Sequence, residues 1–265
     1  MLDLAQEAVG ILSTADAVEK AAAARALGVA WREGRAAFLA PAQPPARPAR
    51  PARPELRRPG DMPKRKAGGN LEKRVALLHA LAHIELNAID LAWDLIARFG
   101  TADLPRSFFD DWVRVGDEEA LHFTMLVSRL RELGAEYGDL PAHDGLWQSA
   151  EETSHDLLAR LAIVPLVLEA RGLDVSPATI AELRRSGDEA SAAALEIIYR
   201  DEIGHVAAGK RWFDHVALAQ GHDPATIWQH LVAKHFRGRL KPPFNRAARD
   251  EAGFSASFYE PIALI

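Results

Sequence analysis

The sequence predicts an all-α protein organised around a bundle of four long helices. Beyond residue 70 apolar residues recur at spacings of three and four, and alternating β-branched runs of strand length are missing. Gly100, Pro105 and Gly134 punctuate the chain at helix-length intervals.

Taken in order, residues 2–40 are Ala-rich with helical spacing and predict one or two peripheral helices. Residues 41–59 carry a proline every few positions, which removes donors and restricts each preceding residue, so residues 41–69 form a Pro/Arg-rich extended linker. Helix A spans 71–98 and stops at Gly100, and helix B spans 105–134. Residues 137–145 are too long for a tight hairpin and form a crossover to helix C, 146–171. A break at 172–177, Gly-Leu-Asp-Val-Ser-Pro, precedes a short helix at 178–185, and helix D covers 188–220. A further helix at 224–236 leads into an irregular tail. The expected organisation is peripheral helices in 1–40, a linker in 41–69, the bundle in 70–220, and a C-terminal helix and tail in 221–265 packed on it.

The 265 residues are 48% hydrophobic with a net charge of −5, the balance of a water-soluble globular chain. Cysteine is absent, which excludes disulfides, zinc-thiolate sites, iron-sulfur clusters and thiol nucleophiles, and fits a reducing compartment. Any metal must be held by His, Asp or Glu. The first residues carry acid where a leader would carry base, and no uninterrupted apolar run reaches membrane-spanning length, so the expected location is the cytoplasm, without membrane contact.

Three Glu-x-x-His matches occur, Glu119/His122, Glu152/His155 and Glu202/His205, where composition alone gives about 0.7. Placement separates them. Glu119 and His122 share a helical face with Trp112, Val115, Phe123 and Leu126, and Glu202 and His205 share one with Leu195, Ile198 and Val206, so both pairs point inward. Helix A carries Glu85 on its apolar stripe and helix C carries Glu169 on its own. The chain repeats this pattern: 33 residues separate Glu85 from Glu119, and 32 separate Glu169 from Glu202. Glu85 and Glu119 each sit about 20 Å below the loop joining their helices, at 1.5 Å per residue, and are therefore level. Glu152/His155 lies about 21 Å from Glu169 along one helix and reads as a polar helix start.

Four carboxylates buried together without cations are prohibitively costly, unless several are protonated or salt-bridged. Two divalent ions would supply +4 against −4, and with two imidazoles this is the ligand set of a di-iron or di-manganese centre in a ferritin-like four-helix bundle: Glu85, Glu119, His122, Glu169, Glu202 and His205 around two Fe ions, two Mn ions or a mixed pair. The competing readings are a bundle with buried ion pairs, for which Arg171 and Arg114 are the nearest partners, and a mononuclear site. His83 lies on another face and reads as a hydrogen-bonding residue. Asp117 and Glu118 flank the site sequence and are candidates for contacts behind the ligands. Tyr199, one turn before Glu202, is the candidate catalytic residue, as a hydrogen bonder or redox-active phenol; the preferred reading of it is a core tyrosine with a satisfied hydroxyl.

The run Ala82-His83-Ile84-Glu85-Leu86-Asn87-Ala88-Ile89-Asp90-Leu91-Ala92-Trp93-Asp94, with residues 117–123, 137–147, 169–174, 201–205 and 241–245, resembles a family of uncharacterised bacterial ferritin-like proteins labelled a domain of unknown function. The resemblance covers residues 70–260 and implies a fold and a metal site rather than a reaction. More distantly the chain is similar to tRNA-hydroxylating ferritin-like di-iron oxygenases, which implies oxygen chemistry by analogy.

The leading expectation is an oxidoreductase that uses O2 and an external electron donor to oxidise a small organic substrate. A ferroxidase or iron-handling role ranks lower, because residues 1–69 and 221–265 add appendages to a subunit that a storage cage needs compact. A tRNA-modifying role would use residues 47–74, which carry +7 and leave −12 elsewhere. That stretch lacks aromatic residues for base stacking, and a linker packed against an acidic body is the preferred reading.

Overall fold

The computed structural model describes residues 1–63 and 65–263, and helices carry nearly all of their regular structure. Lys64, part of the basic stretch, and residues 264–265 of the expected tail lie outside the described residues.

The N-terminal region forms two helices, α1 (Leu4–Ser13) and α2 (Ala17–Arg32), capped by Asp3 and Asp16 and closed by a parallel pairing of β1 (Leu2–Asp3) with β2 (Ala36–Ala37). Helix α1 packs on α3 (Leu71–Phe99), and α2 packs on α4 (Arg106–Glu132). Charges tie α2 to both bundle helices. Lys20, buried on α2, donates to Asp90 of α3 at 2.5 Å, and Arg25 and Arg32 reach Asp117 of α4 at 2.8 and 2.6 Å. Gly28 makes the second contact possible, since a Cβ there would lie 2.8 Å from the Asp117 Cγ.

The linker is extended, as its prolines require, and it is tied to the bundle. Arg50 pairs with Asp90 at 2.9 Å and donates to Asn87, Arg47 pairs with Asp144 and Glu151, and Arg98 donates to the Pro45 carbonyl. Leu56 bridges Ala142 in parallel register. By length and composition α3 could cross a membrane, yet 72% of its most apolar window is buried among the other elements.

Helices α3 and α4 keep the expected bounds. Asn70 caps α3 by accepting from the Lys73 N–H, and Gly100 ends it. The region expected as helix C differs. It divides into α5 (Gly145–Glu152), which packs on α3, then α6 (Leu157–Ile163), a π-helical turn at Val164–Glu169, and α7 (Ala170–Arg185). The break therefore falls at 153–156, where Asp156 starts α6 by accepting from the Leu158 N–H, and not at 172–177. Helix α7 passes through Pro177 because the C-terminal tail compensates it. Proline offers no N–H to the Leu173 carbonyl, and that carbonyl accepts from Asn245 Nδ2 at 3.0 Å instead. Asp174 beside it is held by Arg249 and by the Asn245 N–H.

Helix α8 (Glu189–Ala219) is capped by Asp188, whose carboxylate also takes Arg74 of α3 and Arg129 of α4, so one acid ties three helices. Helices α9 (Pro224–His235) and α11 (Ala256–Ala263) pack together through Trp228, Phe254 and Phe258, and α10 (Arg246–Glu251) lies against α7 and α8; the Trp228 indole donates to the Ala162 carbonyl just before the π turn. The main apolar core runs from Leu4 to Tyr259, and a smaller cluster of Leu91, Trp147, Ala150 and Val164 lies beside it.

Helix α8 approaches the π turn closely because residue 209 is glycine: a Cβ there would overlap the Pro165 ring. Gly209→Ala should destabilise the protein by about 1–3 kcal/mol through overpacking, read as a lower urea midpoint at unchanged m-value.

Candidate metal centre

The four helical units converge on a cluster of acids and imidazoles midway along the bundle. Helix α3 supplies Glu85, α4 supplies Glu119 and His122, the end of the π turn supplies Glu169, and α8 supplies Glu202 and His205. Helical spacing puts Glu119 and His122 on one face of α4, and both are fully buried. Ligand atoms of Glu85, Glu119, His122 and Glu202 all lie within 4.8 Å of one another.

Glu119 is the centre of the arrangement. Its Oε2 lies 3.5 Å from His122 Nδ1, and its Oε1 lies 3.0 Å from His205 Nδ1, so one carboxylate stands between two imidazoles. His122 Nδ1 is also 3.6 Å from Glu85 Oε2, and His205 Nδ1 is 3.7 Å from Glu202 Oε1. Glu169 faces Glu119 and Glu202 across a shared cavity.

The outer nitrogens are held crosswise. Nε2 of His205, on α8, is 2.8 Å from Glu118 of α4, and Nε2 of His122, on α4, is 3.1 Å from Asp201 of α8. An Nε2–H donating to a carboxylate leaves the Nδ1 lone pair of a neutral imidazole aimed inward, the tautomer a metal ligand needs. Both Nδ1 atoms are buried without a hydrogen-bond partner, as are both Glu119 oxygens and one oxygen each of Glu85, Glu169 and Glu202. Unsatisfied buried polar atoms are rare in native proteins, and seven aimed at one spot fit a bound cation.

The electrostatics make the same demand. Burial, reinforced by the charge of Glu119, pushes the Glu85 carboxyl well above the usual range. Burial with Glu202 and Glu119 does the same to Glu169, and burial with Glu119 raises Glu202. Glu119 is equally desolvated, yet its contacts to His122 and His205 outweigh that and hold it low. Burial disfavours charge on both imidazoles, but the surrounding acids overcome it and hold both well above the ordinary histidine range. Without metal, protons take the place of the missing positive charge.

The structure thus brings all six expected ligands to one region. Neither Arg114 nor Arg171 pairs with them: Arg114 lies near Asp111 and Glu118, and Arg171 near Asp174 and the Lys241 carbonyl. Among the described residues no lysine or arginine forms a salt bridge with Glu85, Glu119, Glu169 or Glu202, which removes the support for an ion-paired cluster. Tyr199 stands apart from the acids, its hydroxyl accepting from Asn245 Nδ2 at 2.9 Å, which is the satisfied-hydroxyl arrangement. His83 is buried between the Tyr137 hydroxyl and the His143 carbonyl, and Glu152 pairs with Arg237. Of the two flanking acids, Glu118 backs a histidine and Asp117 anchors α2. The sequence reading missed Asp201. Its signal was available, because an acid precedes the glutamate in both copies, Glu118-Glu119 and Asp201-Glu202.

A family model described as a protein of unknown function (DUF455) matches residues 13–260. An uncharacterized protein of Haemophilus influenzae is 42% identical over 202 residues, covering 74% of this chain and 70% of that relative. No solved structure matches.

Two outcomes are expected. Glu85, Glu169, Glu202 and both histidines bind protons more tightly folded than unfolded, so the metal-free fold loses their contribution as pH rises past the ordinary carboxylate range and through the raised imidazole values. Metal must displace those protons, so the rise in Tm on adding Mn²⁺ should grow between about pH 5 and about pH 8, measured by thermal melts with and without metal. Glu118→Ala and Asp201→Ala should each weaken metal affinity about 10–100-fold, measured by chelator competition.

Proposed function

The chain belongs to the DUF455 family, and we propose that it is a dinuclear iron or manganese carboxylate protein that uses O2 to oxidise an organic substrate. The observation that carries this reading is Glu119, with one oxygen toward His122 and the other toward His205. A metal pair at this place would be held by Glu85, Glu119, His122, Glu169, Glu202 and His205, with Glu119 reaching toward both imidazoles. Four acids then balance two divalent cations, and the hard-oxygen, two-nitrogen donor set accepts iron or manganese. The ligand distribution over four helical units is that of a ferritin-like bundle, which supports assigning the fold to that class.

When bound, such a metal pair would relay electrons from an external donor to O2, a redox role that no side chain in the cluster can fill. The chain's own residues do the rest. Asp201 and Glu118 fix the imidazole rings and their protonation. Leu91, Val164, Leu195 and Ile198 line a cavity of about 300 Å³ that reaches Glu85, Glu119, Glu169 and Glu202, and they keep bulk water from the carboxylates. That apolar lining favours an organic substrate over aqueous iron as the species that travels to the site, so ferroxidase activity ranks second. For tRNA modification the basic stretch offers less than its charge suggests, because Arg47, Arg50 and Arg74 are engaged with Asp144, Asp90 and Asp188. The absence of cysteine suits work in the cytoplasm.

Metal analysis of protein purified from its native host tests the proposal. About two ions per chain are expected, with marked loss in Glu119→Ala and Glu202→Ala; full occupancy in both variants would contradict the ligand assignment.

A further inference from the structure

The cavity above the cluster is polarised. Its deep wall is apolar, formed by Ala88, Leu91, Val164, Leu195 and Ile198, with the buried acids beyond. Its outer lining includes two exposed apolar side chains, Ile84 at 37% and Val175 at 41%, and two arginines, Arg65 and Arg171. The arginines come from distant parts of the chain, one from the linker and one from the start of α7. Arg65 is exposed and forms no salt bridge among the described residues. Arg171 donates to the Lys241 carbonyl at 2.7 Å and lies 3.4 Å from Asp174, but that acid is already met by the buried Arg249 at 2.8 Å. A guanidinium has five N–H donors, so Arg171 retains capacity for a further acceptor.

We infer that the site takes a small amphipathic carboxylate, its anionic head on Arg65 and Arg171 at the mouth and its apolar body inside, with the remote end of that body beside the acids. The two cations at the rim attract the anionic head and the apolar wall below them takes the body, so the orientation is set by the arginines and the lining. A cavity of about 300 Å³ is of small-ligand size and accommodates a short hydrocarbon body. The exposed Ile84 and Val175 then cover the part of the body nearest the opening, where water would otherwise remain in contact with it. This inference rests on the reading of the cluster as the reacting centre, whereas the binding it invokes does not require metal.

Isothermal titration calorimetry of the full chain, metal-free and Mn²⁺-loaded, tests it with octanoate, octan-1-ol and inorganic phosphate as probes. Octanoate should bind at one site, about tenfold more tightly than octan-1-ol, and phosphate alone should not compete. Arg65→Ala and Arg171→Ala should each weaken octanoate about tenfold and leave octan-1-ol unchanged, while Leu195→Trp, which fills the cavity, should abolish both. Arg65→Ala removes an exposed side chain, so it reads the proposal even if the cavity-filling variant fails to fold. Equal affinity for acid and alcohol, octanoate binding indifferent to both arginines, or displacement by phosphate alone would overturn it. The two readings separate cleanly: octanoate binding of this pattern in a chain that takes up no metal would keep the pocket and remove the metal centre, and a loaded chain that ignores octanoate would do the reverse.

Discussion

Four carboxylates lie together in an apolar interior with two imidazoles as their nearest ionisable company, and the rest of the chain is arranged around that excess of negative charge. No arginine or lysine among the described residues neutralises it, although both residue types are used freely to neutralise other buried acids. Asp90 has Lys20 and Arg50, Asp94 has Arg98 and Arg160, Asp174 has Arg249. Protein cations therefore meet the acids with structural roles and leave aside the acids of the cluster. A cluster so left could hold a metal ion, and the Nδ1 atoms turned toward Glu119 face its interior.

Holding like charges level on separate helices requires a frame that does not slide. The N-terminal hairpin and the linker provide part of it by locking to α3 and α4 through Asp90 and Asp117, and Asp188 joins α3, α4 and α8 at one end. The C-terminal tail provides another part by satisfying the backbone of α7 around Pro177. These appendages therefore serve the bundle directly. Leaving a buried ionic group without its partner costs about 3–5 kcal/mol, so sliding that separates the buried Asp90 from Lys20 is opposed.

Much of this was legible in the sequence, and the illegible parts have physical reasons. Apolar periodicity located α3, α4, α8 and α9 to within a residue or two, because each buries a continuous stripe and ends at a glycine or a capping acid. The repeated Glu-x-x-His pattern singled out the residues that converge, since helical spacing fixes which side chains share a face. Helix C was misdivided because a local reading of Gly172 and Pro177 cannot include Asn245, some seventy residues later, which replaces the hydrogen bond proline removes. Asp201 was overlooked because adjacent residues on a helix project to different faces; its role depends on a neighbouring helix that supplies His122. The basic stretch reads as a linker on an acidic body, and the acids that Arg47 and Arg50 meet, Asp144 and Asp90, follow from tertiary packing alone.

The π turn at Val164–Glu169 has a consequence for how the two ends of that helical run are oriented. One additional residue within a turn advances the azimuth of everything after it by about 100°. The surface that α6 turns toward α9 and α8 and the surface that delivers Glu169 are thereby decoupled, each free to match its own neighbours. Had the run wound uniformly, a single angular setting would have governed both, and one of them would have been out of phase.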